Sequence, residues 1–352
     1  MKHIKIDSCF KFLLLLLLPL FNACNQSDFK KQNEMKFNQI FHYTDTLENY
    51  PWKHNTFDNA SEKFTFAVFS DLTGGERDRI FEVAVEQLNL LRPEFIVNVG
   101  DLIEGGESDT AEWHRQWDSF DARASQASAP VFYMGGNHDL TGQLARHVWK
   151  ERNGARYYHF RYKNALFLVM DTEDNSPERM AEIEELRNKA VEVYKMDGPE
   201  AFAETEYASM PERTSGTIGL DQVDYFLNVI KENKDVLWTF ILIHKPAWEN
   251  INDQNFTSIE KAMAERPYTV FYGHTHVYNY QKRNDRDYIN LATTGGEQFP
   301  EKGPSFDQLT LVTVDSNGVN IANLKMSGIL DKTGSIPLNG DTIVFEMRSI
   351  DQ

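Results

Sequence analysis

Five apolar runs in this chain each give way, at their carboxyl end, to a short cluster of Gly, Asp, Asn or His. Phe64 to Ser70 leads into Asp71-Leu72-Thr73-Gly74-Gly75, and Phe95 to Val99 into Gly100-Asp101-Leu102-Ile103-Glu104. Val131 to Met134 leads into Gly135-Gly136-Asn137-His138-Asp139. Later, Leu237 to Ile243 is followed by His244-Lys245-Pro246, and Tyr268 to Tyr272 by Gly273-His274-Thr275-His276. Short apolar runs bounded by such residues read as buried strands. Where strands of an α/β protein end, loops converge on one crevice and ligands bind there. A fold for this chain therefore has to bring five strand ends to one edge.

Helical patterns alternate with the strands. Ile80, Ala84, Leu88 and Leu91 supply one apolar face, a polar helix is expected over 112–125, and Leu220 to Glu232 forms another. Tyr157–Tyr162 and Ala165–Met170 read as a hairpin around Lys163 and Asn164, and residues 178–196 as an acidic, exposed helix in a long insertion. Late strands are expected at Tyr288–Leu291, Leu309–Val314 and Val319–Leu324. The class is α/β, and periodicity is compatible with either a doubly wound sheet or two stacked sheets.

Singly, the motifs differ in weight. Asp71-Leu72-Thr73-Gly74-Gly75 alone describes a turn, Gly100-Asp101 a helix cap or hairpin, and His244 a satisfied core histidine. A turn seldom needs Asn, His and Asp in series, as at Asn137-His138-Asp139. His274 and His276, two residues apart, put two imidazoles on one side of an extended segment, which suits a metal ion and is rarely needed for packing. Mixed carboxylate, amide and imidazole donors favour Mn(II), Fe(II), Zn(II) or Ni(II) over Ca(II). The joint order of these clusters is not a chance pattern.

In that order, Asp, Gly-Asp, Gly-Asn-His-Asp, His and Gly-His-x-His, residues 64–276 resemble the calcineurin-like metallophosphoesterases. Ile289 to Gly296 is similar to the segment that follows the last motif in many members. The resemblance implies a two-sheet β-sandwich flanked by helices, a four-layer αββα arrangement, with two divalent metal ions at its edge. It implies that Asp101 bridges the ions, that Asn137, His244 and His274 complete one site, and that Asp71 and His276 serve the other. His138 would sit beside a small phosphorylated substrate without binding metal, as general acid, with Asp139 or Glu104 orienting its ring. One departure stands out: the first motif usually reads Asp-x-His, and here Thr73 holds the histidine position. In the related purple acid phosphatases, which also lack that histidine, a tyrosine three residues after the bridging Asp ligates the same metal. Glu104 occupies that spacing, so it is a candidate ligand as well as a candidate partner for His138.

The chain carries a formal net charge of −17, and residues 1–23 contribute Lys2, Lys5 and Lys11 against Asp7. A body this acidic repels polyanions, which disfavours long nucleic acid as substrate. The three lysines precede an apolar run from Phe12 to Leu20, then Ala23 and Cys24. This reads as a signal peptide over 1–23, since a membrane span needs about 20 apolar residues. Cys24 after Ala23 resembles the acylated cysteine of bacterial lipoproteins. Cys9 lies in the signal, so Cys24 would be the sole cysteine of the mature chain, which excludes an intrachain disulfide or cysteine-held metal. The expected organisation is a signal over 1–23, a polar tether and lead-in over 24–62 in which Tyr50, Trp52 and Phe57 pack onto the domain, and one phosphoesterase domain over 63–352. The expected location is extracytoplasmic, on a membrane through a lipid on Cys24. A phosphate-binding or scaffold lipoprotein with a degenerate metal site is the alternative; His138, His274 and His276 weigh against it, because a scaffold needs none of them.

Overall fold

The computed structural model describes residues 60–348. The signal, Cys24 and the tether up to residue 59 lie outside the described residues, as do Tyr50, Trp52 and Phe57. The strands are β1 Phe64–Phe69, β2 Phe95–Asn98, β3 Val131–Phe132, β4 Tyr158–Tyr162, β5 Ala165–Val169, β6 Trp238–Leu242, β7 Tyr268–Tyr272, β8 Asn279–Arg283, β9 Arg286–Asn290, β10 Gln308–Asp315 and β11 Gly318–Lys325. The α-helices are α1 Ile80–Leu91, α2 Thr110–Ala124, α3 Asn137–Leu140, α4 Gln143–Asn153, α5 Pro177–Ala203, α6 Pro211–Thr214, α7 Leu220–Glu232 and α8 Asn255–Ala262.

Two mixed sheets result, ordered β11-β10-β1-β2-β3 and β4-β5-β6-β7-β9-β8. The runs β1-β2-β3 and β5-β6-β7-β9 are parallel, so the carboxyl ends within each run point the same way. Each central strand has both faces buried, which is why its sequence is apolar without alternation. In β1, Phe64, Phe66 and Val68 face a core shared with Phe95, Val97, Phe167, Phe240 and Leu242 of both sheets. Ala67 and Phe69 point the other way, into a core with α1, α2 and α4. On the second sheet Leu166, Leu168, Ile241 and Val270 pack against α7 and α8. Helix, sheet, sheet, helix: the stacked-sheet alternative is the one adopted. Its centre is a cluster of rings, with Phe66 stacked on Phe95 at 5.3 Å and edge-on to Phe240 at 4.8 Å. Such pairs add about 0.5–1.5 kcal/mol beyond the area they bury.

Three sequence expectations change. The strand expected over Val131–Met134 is only two residues long, because Met134 N–H bonds the Asn98 side chain instead of a neighbouring strand. The insertion helix runs from Pro177 to Ala203, interrupted at Gly198 (φ 84°), and is not simply exposed. Met180, Ile183, Arg187 and Ala190 are buried along one face, and Ile183 and Ala190 join Tyr207 and Met210 in a separate small core. Helices α4 and α8 and strand β8 were not anticipated; all three are rich in polar residues, which blurs their periodicity. Among the described residues no helix is long and apolar enough to cross a membrane.

Candidate metal centre

Strand ends β1, β2, β3, β6 and β7 deliver their clusters to one edge of the sandwich, where close backbone approach sets the geometry. A side chain at Gly100 (φ 98°) would meet Gly136 N at 2.6 Å and His244 Nδ1 at 2.9 Å, so the β2 and β3 loops interlock only as glycines. Asp101, His274 and His276 adopt positive φ of 58°, 74° and 56°. Non-glycine residues held in that region cost about 1–3 kcal/mol each and persist where their surroundings over-determine them. Here the surroundings are hydrogen bonds. Asp71 Oδ1 accepts from His274 N–H at 3.0 Å, and Asp101 Oδ1 from His138 N–H at 2.9 Å.

Four imidazoles share one arrangement. His244 Nδ1 donates to the Val99 carbonyl (2.8 Å), His274 Nε2 to that of Arg213 (2.7 Å), His276 Nδ1 to that of Glu297 (2.5 Å) and His138 Nδ1 to that of Glu104 (2.6 Å). A carbonyl only accepts, so each bond marks that nitrogen as protonated, and in the neutral ring the other one carries the lone pair. In His244 and His276 that second nitrogen lies against a carboxylate, which favours a proton there until a cation replaces it. His244 Nε2 lies 3.1 Å from Asp101 Oδ2 and 3.1 Å from Asn137 Oδ1, and His276 Nε2 lies 3.4 Å from Asp71 Oδ1. Donor atoms of Asp101, His244 and His274 all fall within 4.8 Å of one another. Asp101, Asn137, His244 and His274 thus form one cluster, and Asp71 with His276 forms an adjoining pair.

The charges of these side chains reflect the crowding. Against the cost of burial, His244 and His138 hold the Asp101 carboxyl well below the usual carboxylate range. Burial opposes protonation of His244 too, but the Asp101 carboxylate raises it to about 9. His274 is driven well below the ordinary imidazole value by burial and by the Lys245 ammonium. Buried carboxylates and convergent imidazole nitrogens in one crevice are the donor set of a borderline divalent cation, which would displace the extra proton from His244, and the residues present fit one.

Two expected roles are corrected. Asp139 does not orient His138: its fully buried carboxylate accepts from the backbone N–H groups of Gly136 (2.8 Å), Asp101 (2.8 Å), Leu102 (3.0 Å) and Ile103 (3.2 Å). It ties the β2 loop to the β3 loop, while burial and the Asp101 charge push it up to about 8. Glu104 is likewise not aimed at the cluster. Its carboxylate accepts from the N–H groups of Gly74 (3.2 Å), Gly75 (3.1 Å) and Glu76 (2.8 Å), bracing the first-motif loop. It is the Glu104 backbone carbonyl that orients His138; the carboxylate stays 3.8 Å from that ring. Thr73, in the expected histidine position, is buried and donates its hydroxyl to the Ile103 carbonyl at 3.0 Å.

Other residues settle into supporting roles. Arg77 pairs with Asp307 and bonds the Gly296 and Val344 carbonyls, so it serves structure. Trp248 packs edge-on against Tyr272 and Tyr288 at 5.0 and 4.7 Å, away from the crevice. Thr293 Oγ1 and the N–H groups of Thr294 and Gly296 all bond the Asp71 carbonyl, which is what the segment after β9 does for the site. A sixth strand end was missed in the sequence. After β5, Asp171-Thr172-Glu173 is buried; Asp171 pairs with Arg156 at 2.7 Å and Glu173 with Lys245 at 2.9 Å. The signal was available, since this cluster follows an apolar run just as the others do.

A cavity of about 480 Å³ opens above the cluster. Asp101, Asn137, His138 and His276 line its floor, and Arg187, Tyr194, Phe202 and Arg213 of the insertion line its roof, with Phe299 and Lys302 from the loop after β9.

A family model described as calcineurin-like phosphoesterase matches residues 64–278. No curated protein matches the chain significantly. Among solved structures, a dimetal phosphatase from Danio rerio superposes with a TM-score of 0.51 at 14% identity, covering 74% of this chain and 98% of that one. A purple acid phosphatase from yellow lupin (Lupinus luteus) seeds gives 0.50 at 13% identity, covering 78% of this chain and 53% of that one. At such identity the likeness concerns the fold. The family match rests on the stretch that carries all five clusters, and so the chain belongs to the calcineurin-like phosphoesterases, metal-dependent hydrolases of phosphate esters.

Proposed function

We propose that this protein hydrolyses a phosphomonoester or phosphodiester on two divalent ions, with Mn, Fe or Zn as the candidate metals. Asn137, His244 and His274 would hold one ion, Asp71 and His276 the other, and Asp101 would contribute to both. The observation that carries the reading is the set of four imidazoles, each tied by one nitrogen to a main-chain carbonyl so that the other is presented to the crevice. A scaffold with a decayed site would have no use for that arrangement. When bound, a metal pair of this kind neutralises phosphoryl charge and supplies a nucleophilic water at neutral pH.

The remaining chemistry belongs to the chain. His138 lines the cavity with Nδ1 tied to the Glu104 carbonyl, so its Nε2 is the nitrogen that can give a proton to the leaving oxygen as the bond to phosphorus breaks. Burial lowers the basicity of that ring, which favours release of the proton once carried. Asp139 and Glu104 hold the loops that bear Asp101, Asn137 and Gly74, keeping positions fixed without touching substrate. Metal analysis of purified protein, then assay of mono- and diesters with Mn(II), Zn(II) and Fe(II), tests this. Chelation should abolish hydrolysis, and hydrolysis that survives it would overturn the assignment.

Location belongs to the same proposal. The lysine-flanked apolar run and Cys24 support an extracytoplasmic lipoprotein held on a membrane by acyl chains on Cys24. Wild-type protein should partition with membranes, and Cys24→Ala should be found soluble or as uncleaved precursor. A mature N-terminus other than Cys24 would refute it.

A further inference from the structure

Helix α5 buries Met180, Ile183, Arg187 and Ala190, spaced three, four and three residues apart. That is the core-facing stripe of an amphipathic helix, and one of its members is a cation. Arg187 is only 8% exposed. A guanidinium removed from water without an anion is costly, and buried charges are almost always paired.

Arg187 makes no hydrogen bond or ion pair with any of the described residues. Four acids line the adjoining cavity with it, Glu104, Glu107, Glu184 and Glu192, and none is paired with it; Glu192 takes the Lys195 ammonium at 3.4 Å instead. The Glu104 carboxylate takes three amide N–H groups, and that of Glu184 packs against the backbone of Gly142. The other cations over the centre are also occupied, Arg213 lying 5.3 Å above the Phe202 ring and the Lys302 ammonium 3.9 Å above Phe299. Arg187 stands on the wall shared by the cavity over the centre and its neighbour, and His138 lines both cavities with it.

We propose that Arg187 binds the phosphoryl group directly and makes phosphomonoesters the preferred substrate class; this rests on the hydrolytic reading above. A monoester phosphate carries close to two negative charges at neutral pH and three terminal oxygens, where a diester has one charge and two. A planar guanidinium with five N–H donors gains most from the additional charge and oxygen, and forks onto phosphate better than an ammonium does. The anion that the fold withholds from Arg187 is the one the substrate brings.

The test compares wild type, Arg187→Ala and Arg187→Lys in Mn(II)-loaded protein. Three quantities are read: metal content, the calorimetric Kd of inorganic phosphate, and kcat/KM on p-nitrophenyl phosphate and bis-p-nitrophenyl phosphate. Arg187→Ala should keep its metal, weaken phosphate roughly 10–100-fold and lower monoester kcat/KM by a similar factor, the range for a lost charged hydrogen-bond pair. Diester hydrolysis should fall by less than about fivefold, and Arg187→Lys should recover part of the phosphate affinity. An unchanged phosphate Kd, or equal losses on both esters, would overturn the proposal. Wild-type protein that hydrolyses neither ester would instead refute the hydrolytic reading, and the phosphate titration would still decide the role of Arg187.

Discussion

The strand-end loops and the insertion over residues 177–214 face each other across one cavity and are built by opposite means. Every candidate ligand sits at a strand end, and all but Asn137 have a side-chain atom tied to a main-chain group, which for His274 is the Arg213 carbonyl of the insertion itself. The insertion rests on its own small core of Ile183, Ala190, Tyr207 and Met210, and carries a helix broken at Gly198. The first arrangement suits atoms that must stay within a fraction of an ångström, the second an element that shapes what enters. Chemistry is assigned to the scaffold and selection to the addition. Elements with few buried contacts open with the smallest free energies, so the two regions should also differ in dynamics.

The sharpest way to break the comparison is inside the scaffold, where ligand and proton donor should separate. Asp101→Asn should abolish hydrolysis together with much of the bound metal, read by metal analysis on the same sample. His138→Ala should keep its metal and lose roughly 10²–10⁴-fold in turnover, the range for a lost general acid. If His138→Ala lost metal as Asp101→Asn does, the division between ligand and donor would collapse.

A smaller effect is expected at Glu104, because its carboxylate braces a loop and does not face the cluster. Glu104→Gln should leave metal content unchanged and cost about 10-fold in activity, within the span of outer-shell losses. Restoration of a depleted variant by excess metal would show that Glu104 is a ligand after all, and Thr73→His would then be the variant expected to compensate.

The smallest expected change lies in the insertion. Tyr207→Ala should leave turnover near wild type and raise KM a few-fold, with little shift of the global unfolding midpoint. Hydrogen exchange should show amides of 177–203 opening well before those of β1 and β6. Equal protection in both regions would mean that the insertion is part of the rigid frame.

Much of this protein was legible in its residues. The limits of β7 and α7, the hairpin of β4 and β5, and the clusters at five strand ends follow from apolar runs, turn chemistry and the few residue types that bind metal. These are local signals, written within a handful of positions. What only tertiary structure decided is where a polar atom finds its partner. Asp139 reads as a catalytic neighbour of His138, yet its acceptors are spent on amides more than thirty residues earlier. Glu104 reads as a ligand and is spent on a loop about thirty residues before it. Backbone N–H groups are present at every position, so no sequence pattern marks which will be buried opposite a carboxylate. Stacking of the two sheets was undetermined for a related reason, since strands buried on both faces lose the alternation that would say which way each side chain points. Arg187 is the same lesson on a helix: residues 178–196 read as acidic and exposed, and only the folded chain shows that Arg187 is buried and borders a cavity.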